Sequence, residues 1–81
     1  MTKRIRSVAM IFNHQRFGND ILAYRLEHGM TQTSIATLTG ISTTAISQYE
    51  QALEPRMSVG NLIAMCNVYD LDPREYFELE R

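Results

Sequence analysis

Between residues 17 and 81, apolar side chains recur three and four positions apart, which is the spacing of one face of an α-helix. The first helix is expected to start near Gly18 and Asn19 and to end at His28 and Gly29. No segment after residue 17 alternates convincingly as a strand would. The pattern therefore predicts an all-α fold, with five short helices around one core.

Local chemistry at the helix ends places the four later helices. The second helix ends at Gly40, and the third ends near Gln51. Pro73 suits the first position of the fifth helix, because its missing N–H would have no helical partner there. Four residues are predicted as N-caps: Thr31, Ser42, Ser58 and Asp72.

The last two helices are expected to contribute most of the remaining apolar surface. Cys66, the only cysteine, is predicted to be a small core residue. The fifth helix carries Tyr76, Phe77 and Leu79, of which the two aromatic residues are expected in the core. One face of the fourth helix presents Val59, Leu62, Ile63, Cys66 and Tyr69.

Residues 1–16 form an extension whose pattern is ambiguous. Ile5, Val8 and Phe12 have helical spacing, whereas Val8, Met10 and Phe12 alternate like a strand. A β-arm, an extra helix and a tail all stay open. The chain therefore divides into an extension over 1–16 and a domain over 17–81.

Composition limits the class of protein. A chain of 81 residues, 44% hydrophobic and 21% charged, fits one small domain, and no apolar run is long enough for a membrane span. We expect a soluble cytoplasmic protein without a secretory signal. His14 and His28 lie too far apart for a zinc motif, and Lys3 is the only lysine. No enzyme, metal or cofactor is predicted.

The formal net charge of −1 hides a polarised chain. Residues 1–30 hold five basic and two acidic residues, a net of +3, and residues 31–57 hold one and two, a net of −1. Residues 58–81 hold two basic and five acidic residues, a net of −3, and are expected to face away from any polyanion. These acids are Asp70, Asp72, Glu75, Glu78 and Glu80.

The second and third helices form a helix-turn-helix candidate joined at Gly40 and Ile41. A glycine can supply the positive φ that the turn needs, and the small side chain of Ala36 lets the helices cross closely. The inward positions of the pair are Ile35, Ile41, Ile46 and Tyr49.

The outward face of the third helix is polar but uncharged. Thr43 and Ser47 are neighbours at i, i+4, as are Thr44 and Gln48. Threonine and serine cost helix propensity and gain nothing on a merely solvated face. In a DNA major groove the same side chains can bond base edges, and glutamine can contact adenine at two points. The face therefore favours base recognition over a simple solvated surface.

The stretch TQTSIATLTGISTTAISQYE, residues 31–50, resembles the helix-turn-helix of the lambdoid phage repressor, Cro and Xre-type regulators. The resemblance runs from about Phe17 to Phe77 and implies a lambda-repressor-like DNA-binding domain. It implies that Gln32 contacts a phosphate and braces the reading helix. It also makes Thr43, Thr44 and Gln48 base readers and Ser47 a backbone or base contact. Ser42, at the helix N-terminus, is a further candidate for a phosphate contact.

Two positions depart from that pattern. EQALEP, residues 50–55, stands where the family usually has glycine and basic residues, and Glu54 would repel DNA. Thr39 occupies a position where an apolar residue is commoner.

The reading helix needs positive charge from elsewhere to bind phosphates. An N-terminal arm could supply it through Lys3, Arg4 and Arg6, although a solvated tail is an equally good interpretation. Arg16, Arg25 and Arg56 are weaker phosphate candidates. Alternatively, residues 8–12 build a dimer contact.

The resulting hypothesis is a sequence-specific transcriptional repressor of phage or prophage origin. It would act as a homodimer on a two-fold operator, with reading helices roughly 34 Å apart. It would be either Cro-like or a stand-alone repressor released by an antirepressor protein. The alternatives are an antitoxin that represses its own operon and binds a toxin, and a protein-interaction module of the same fold.

Overall fold

The computed structural model describes residues 10–53 and 56–79. Within these ranges the chain is mostly helical, as predicted, and its first and last elements pair in a small antiparallel sheet. The elements are β1 (Met10–Phe12), α1 (His14–Glu27), α2 (Gln32–Thr39), α3 (Thr43–Glu50), α4 (Val59–Tyr69), a 3-10 helix (Pro73–Tyr76) and β2 (Phe77–Leu79).

All four predicted N-caps are confirmed. In each case a side-chain oxygen accepts a hydrogen bond from a backbone N–H two or three residues further along, which satisfies one of the free donors of the first turn. The bonds run from Ser34 N to Thr31 Oγ1 at 3.1 Å, from Ala45 N to Ser42 Oγ at 3.1 Å, from Asn61 N to Ser58 Oγ at 3.0 Å and from Arg74 N to Asp72 Oδ1 at 3.0 Å.

The predicted start of the first helix is wrong. The helix begins at His14, because the side chain of Asn13 caps it by accepting from Arg16 N at 2.9 Å. Gly18 therefore lies inside the helix rather than at its start. The predicted end is confirmed, with Gly29 at φ +64° directly after the C-cap His28.

The end of the chain also corrects the sequence interpretation. The fifth helix is a single 3-10 turn, and Phe77 and Leu79 lie in a strand that the pattern does not predict. β2 pairs antiparallel with β1, with Phe12 opposite Phe77 and Met10 opposite Leu79. Asn13 N donates to Tyr76 O at 2.7 Å. This bond connects the residue between β1 and α1 to the last residue of the 3-10 helix, next to the paired strands.

The ambiguous extension is settled only in part. Residues 10–12 are a strand, residues 14–16 belong to α1, and residues 1–9 lie outside the described ranges. The division into an extension over 1–16 and a domain over 17–81 stays a prediction. Phe12 nevertheless packs against the core, with its ring centroid 5.3 Å from that of Phe17.

One apolar cluster holds the helices together. Cys66 is buried in it as predicted, and burial, followed by the charge of Asp72, raises the pKa of its thiol to about 11. Val59 and Ile63, by contrast, are exposed on α4, because Met65 rather than either of them completes its buried face. The cluster comprises Phe17, Ile21, Ile35, Ile41, Ile46, Tyr49, Leu62, Met65, Cys66, Tyr69 and Tyr76.

Candidate nucleic-acid interface

The turn between α2 and α3 is closed by two residues. Gly40 adopts φ +76°, and its N–H donates to Ala36 O at 2.8 Å, which ends α2. The Thr39 hydroxyl donates to Ile35 O at 2.7 Å and accepts from Ile41 N at 3.1 Å. The unusual threonine at this position therefore stabilises the turn.

The inward face of the motif is buried as predicted. Ile35 and Ile46 are fully enclosed, and Ile41 and Tyr49 are nearly so. The Tyr49 hydroxyl accepts a hydrogen bond from Asn61 Nδ2 at 2.9 Å, so α3 is fixed to α4 through a polar as well as an apolar contact. The orientation of α3 is thus set from its buried side.

Glu50 is a buried carboxylate at the end of α3, with 6% of its surface exposed. It accepts from Arg25 Nε at 2.6 Å and Nη2 at 3.0 Å, in the two-point geometry that suits a guanidinium group. Gln32 Nε2 donates to the same carboxylate at 3.0 Å, and Arg25 Nη1 donates to Met30 O at 3.0 Å. This Arg25–Glu50–Gln32 network joins α1, α2 and α3.

The electrostatics of the network are those of a satisfied ion pair. The hydrogen bond to Glu50 raises the pKa of Arg25 above its ordinary value, against the opposing effect of burial. Burial, followed by the charge of Glu50, raises the pKa of the nearby Tyr69 to about 12, so this phenol stays neutral. Arg25 is paired with Glu50 inside the protein. This pairing corrects the prediction that Arg25 is a candidate for phosphate binding.

Gly18 brings α1 close to the end of α3. A Cβ at this position would lie 2.6 Å from Tyr49 O and 2.9 Å from Glu50 O, which is closer than atoms in proteins approach. Only a residue without a side chain lets the two helix backbones pack at this distance. Gly18 therefore fixes the position of α3 together with the ion pair.

The outward face of α3 presents polar groups without formal charge. Thr43 and Thr44 are exposed in its first turn, next to the exposed cap Ser42. Ser47 and Gln48, one turn further along, are partly exposed. The Ser47 hydroxyl accepts from Gln51 Nε2 at 2.9 Å, which orients it along the helix.

The structure places the predicted site residues in two groups. Ser42, Thr43, Thr44, Ser47 and Gln48 share α3 and its cap. Gln32 is separate, because its amide donates to Glu50 in the Arg25–Glu50–Gln32 network. Lys3, Arg4 and Arg6 lie outside the described residues. Contact with DNA stays a prediction for every member of this set.

Two other arginines are engaged within the protein. Arg16 Nη1 donates to Glu75 O at 3.0 Å, and its guanidinium lies 5.4 Å from the ring centre of Tyr76. Arg74 pairs with Asp72 at 2.8 Å, and this hydrogen bond holds the pKa of Asp72 below its ordinary value. In the acidic segment, therefore, one basic residue offsets one of the acids.

Sequence reasoning does not identify Glu50, Arg25 and Gly18 as determinants of the site. Their contacts join distant segments, so helical spacing carries no sign of them. One signal in the sequence is Glu50 itself, which is the only charged residue within positions 40–50. A lone acid at the end of an otherwise uncharged helix, beside a buried aromatic residue, is a candidate for a buried ion pair.

Within residues 10–53 and 56–79, no helix has both the length and the apolar character needed to cross a membrane. The same residues contain no cluster of three or more histidine, cysteine, aspartate or glutamate side chains arranged to hold a metal ion.

Comparison with known proteins identifies the motif. The helix-turn-helix family model HTH_3 matches residues 21–76, which is more than half of the chain. No curated protein sequence gives a significant match.

Solved structures with the same fold include three regulators. The restriction-modification controller protein C.AhdI from Aeromonas hydrophila is 25% identical, with 79% of this chain and 96% of that chain covered and a TM-score of 0.67. The P22 c2 repressor in complex with a synthetic operator is 27% identical, with 74% and 89% covered and a TM-score of 0.67. The N-terminal DNA-binding domain of SinR from Bacillus subtilis is 25% identical, with 78% and 91% covered and a TM-score of 0.68.

Sequence family, fold and the packed helix pair lead to the same assignment. The predicted lambda-repressor-like fold is confirmed, and the fold and family are those of DNA-binding regulators, which are typically not enzymes. The chain belongs to the helix-turn-helix family of the Xre and lambda-repressor type and is a DNA-binding transcriptional regulator.

Proposed function

We propose that this protein is a sequence-specific repressor that binds a two-fold operator as a homodimer, with α3 in the major groove. The observation that carries the proposal is the surface of α3. Its first turn exposes Thr43 and Thr44, while Ile46, Tyr49 and Glu50 hold the opposite side in the core. A rigid helix with uncharged polar side chains on its free face suits the reading of base edges.

The division of roles follows from the chemistry of each side chain. Thr43 and Thr44 can bond a base or touch a thymine methyl, and Gln48 can pair with adenine. Ser47 contributes a backbone or base contact. Phosphates are bound by the N-terminus of α3 at Ser42 and by a basic arm that contains Lys3, Arg4 and Arg6.

Gln32 combines two roles in this proposal. Its bond to Glu50 is the brace that the family resemblance implies, and it lies at the start of α2, where its amide can also reach a phosphate. Origin in a phage or prophage and repression by promoter occlusion complete the proposal. The P22 c2 repressor, solved with a synthetic operator, supports this class of function.

Footprinting of the DNA that flanks the gene tests the proposal, together with selection of binding sites from a random duplex library. The expected result is one protected, two-fold symmetric sequence with half-sites roughly 34 Å apart, one helical turn. Absence of both an enriched sequence and a protected site would exclude sequence-specific repression and leave a protein-interaction module.

A single substitution tests the reading face. Gln48→Ala should weaken binding to the selected site by about 1–3 kcal/mol and reduce discrimination at one base pair. The matched control is Gln15→Ala on α1, where the side chain is exposed and donates to Asn19 Oδ1. Equal decreases in affinity for both variants, measured by titration at fixed salt, would contradict the role of Gln48.

A protein partner is a second proposal with a specific observation behind it. SinR, one of the similar structures, was also solved in a SinR/SinI complex, and the match to that structure covers 74% of this chain and 58% of the matched chain. An antirepressor, or a toxin in an antitoxin system, would be the corresponding partner here. Affinity purification from cells that carry the native locus, with wild-type protein and an α3 variant, tests this second proposal.

A further inference from the structure

Within residues 10–53 and 56–79, the small sheet has an edge that pairs with no further strand. β1 and β2 pair only with each other among the described residues, and a two-stranded sheet is marginally stable by itself. Exposed edges usually carry a lysine, a proline or a bulge that prevents pairing with another chain. β1 consists of Met10, Ile11 and Phe12 and has none of these devices.

The hydrogen-bond pattern identifies which groups are available. The bond from Asn13 N to Tyr76 O makes these two residues a hydrogen-bonded pair in the ladder. Since such pairs alternate, Ile11 bonds Glu78, and the backbone N–H and C=O of Met10 and Phe12 point away from β2. On β2, the N–H of Phe77 already donates to Arg74 O. The more accessible edge is therefore that of β1.

The side chains around this edge are apolar and exposed. Met10 is 53% exposed, Ile11 is 50% exposed, and Leu79 opposite Met10 is 60% exposed. An open cavity of about 220 Å³ lies beside Phe12 and Phe77, which both contribute to its lining. Met10 and Leu79 project from one face of the sheet and Ile11 from the other, so apolar side chains are exposed on both faces of this edge, as is typical of an interaction site.

We propose that a second copy of this chain pairs with β1, so that the two β1 strands run antiparallel about a two-fold axis at Ile11. The occupant is a second copy because the edge is self-complementary: in this register Met10 of each copy exchanges hydrogen bonds with Phe12 of the other. Ile11 faces its own counterpart, and no charged side chain of the strand meets a like charge. The order of strands in the four-stranded sheet is β2–β1–β1–β2.

The register also accounts for the position of the cavity. Met10, Phe12, Phe77 and Leu79 share one face of the sheet, because they form the two non-hydrogen-bonded pairs. Met10 of the second copy lies opposite Phe12 and next to the cavity, where a flexible thioether side chain can fill an irregular space. This inference rests on the proposed function, because the interface would supply the two-fold dimer that a two-fold operator requires.

Charge substitutions at Ile11 test the register. Both variants are made in a Glu78→Gln background, because Glu78 lies opposite Ile11 within the same sheet. In this background Ile11→Lys and Ile11→Glu each place two like charges opposite each other across the two-fold axis, and each should weaken self-association at least about tenfold in sedimentation velocity relative to Glu78→Gln alone. An equimolar mixture of the two variants should restore association, because lysine then faces glutamate. Leu26→Lys, at a residue that is 63% exposed on α1, is the matched control and should associate like the wild type. Circular dichroism verifies that each variant is folded.

A cross-link tests the same interface on DNA. Ile11→Cys should form an intermolecular disulfide under mild oxidation when bound to the selected site, whereas the wild type, whose only thiol is the buried Cys66, should not. Unchanged association of both charge variants, or sensitivity to Leu38→Lys on α2 instead, would overturn the proposed interface even if footprinting still shows a symmetric site. Conversely, restored association in the mixture without any specific DNA site would support the interface and refute the repressor.

Discussion

At the residue scale, Thr39 illustrates how a hydroxyl group can replace an apolar side chain at a tight turn. Its hydroxyl donates to Ile35 O and accepts from Ile41 N, so a single group joins the last turn of α2 to the N–H that follows Gly40. An apolar side chain would leave the N–H of Ile41 to solvent or to another partner. The deviation from the family pattern is thus compatible with a well-formed helix-turn-helix.

Gly18 provides a prediction at the same scale. Gly18→Ala should destabilise the domain by about 1–3 kcal/mol, because the added methyl group overpacks the contact between α1 and α3. Its Cβ would meet the carbonyl oxygen of Tyr49 at 2.6 Å, and a backbone atom cannot rotate away as a side chain can. Urea denaturation followed by circular dichroism measures the change.

The control is another helical glycine. A Cβ at Gly60 in α4 would have Ser58 Oγ as its nearest neighbour, at 4.0 Å, so it meets no clash. Gly60→Ala should therefore stabilise the domain by up to about 1 kcal/mol, since alanine has the higher helix propensity. If the two variants were equally stable, the proposed close packing at Gly18 would be wrong.

At the scale of the element, α3 depends on its neighbours. A helix of eight residues is too short to persist by itself in water. Its cap Ser42 organises the first turn, while Tyr49 and Glu50 attach its last turn to α4, α1 and α2. The free face can then carry residues of low helix propensity, such as Thr43 and Thr44, because packing supplies the stability.

Removal of Glu50 should expose this dependence. Glu50→Ala leaves the guanidinium of Arg25 buried without its countercharge, and we expect a decrease of about 3–5 kcal/mol in the free energy of unfolding. The side chains of Arg25 and Glu50 are 12% and 4% exposed, so solvent can replace the missing partner only poorly. Chemical denaturation at neutral pH measures the decrease.

A surface glutamate is the matched control for Glu50. Glu27→Ala, at the exposed end of α1, should change the stability by no more than about 0.5 kcal/mol. In a double-mutant cycle, Arg25→Met combined with Glu50→Ala should destabilise the domain by less than the sum of the two single effects. Additive effects would contradict a coupled pair.

The elements also explain which features can be predicted from the sequence. Thr31, Ser42, Ser58 and Asp72 are predictable because a cap involves atoms only two or three residues apart. The inward face of α2 and α3 follows from helical spacing. β2 escapes prediction because its partner lies at the other end of the chain, and a three-residue strand has too few positions to show alternation.

The same distinction applies to the candidate site. The free face of α3 is predicted from i, i+4 neighbours, and its exposure agrees with that prediction for Thr43 and Thr44. The support beneath it is not predicted, because Arg25 and Glu50 are brought together only by the packing of α1 against α3. Pairing between charges on different helices depends on tertiary structure, which residue spacing does not encode.

At the scale of the whole molecule, a chain of net charge −1 needs a local excess of positive charge to bind DNA phosphates. The acidic segment is partly neutralised, since Asp72 pairs with Arg74 at 2.8 Å. Arg25 forms an ion pair with Glu50, and Arg16 donates a hydrogen bond to the carbonyl oxygen of Glu75. We therefore keep the proposal that the N-terminal Lys3, Arg4 and Arg6 bind phosphates.

Neutralising those three residues tests this assignment. Replacement of Lys3, Arg4 and Arg6 by glutamine should weaken specific and non-specific DNA binding alike, because phosphate binding carries no sequence information. For every phosphate that is no longer neutralised, the slope of log K against log salt concentration should become shallower by about 0.9. Arg74→Gln, which removes a charge from the acidic segment, should leave the slope unchanged. If the triple variant keeps the wild-type slope while Gln48→Ala still lowers specificity, phosphate binding must come from other groups, and the N-terminal arm has no part in it.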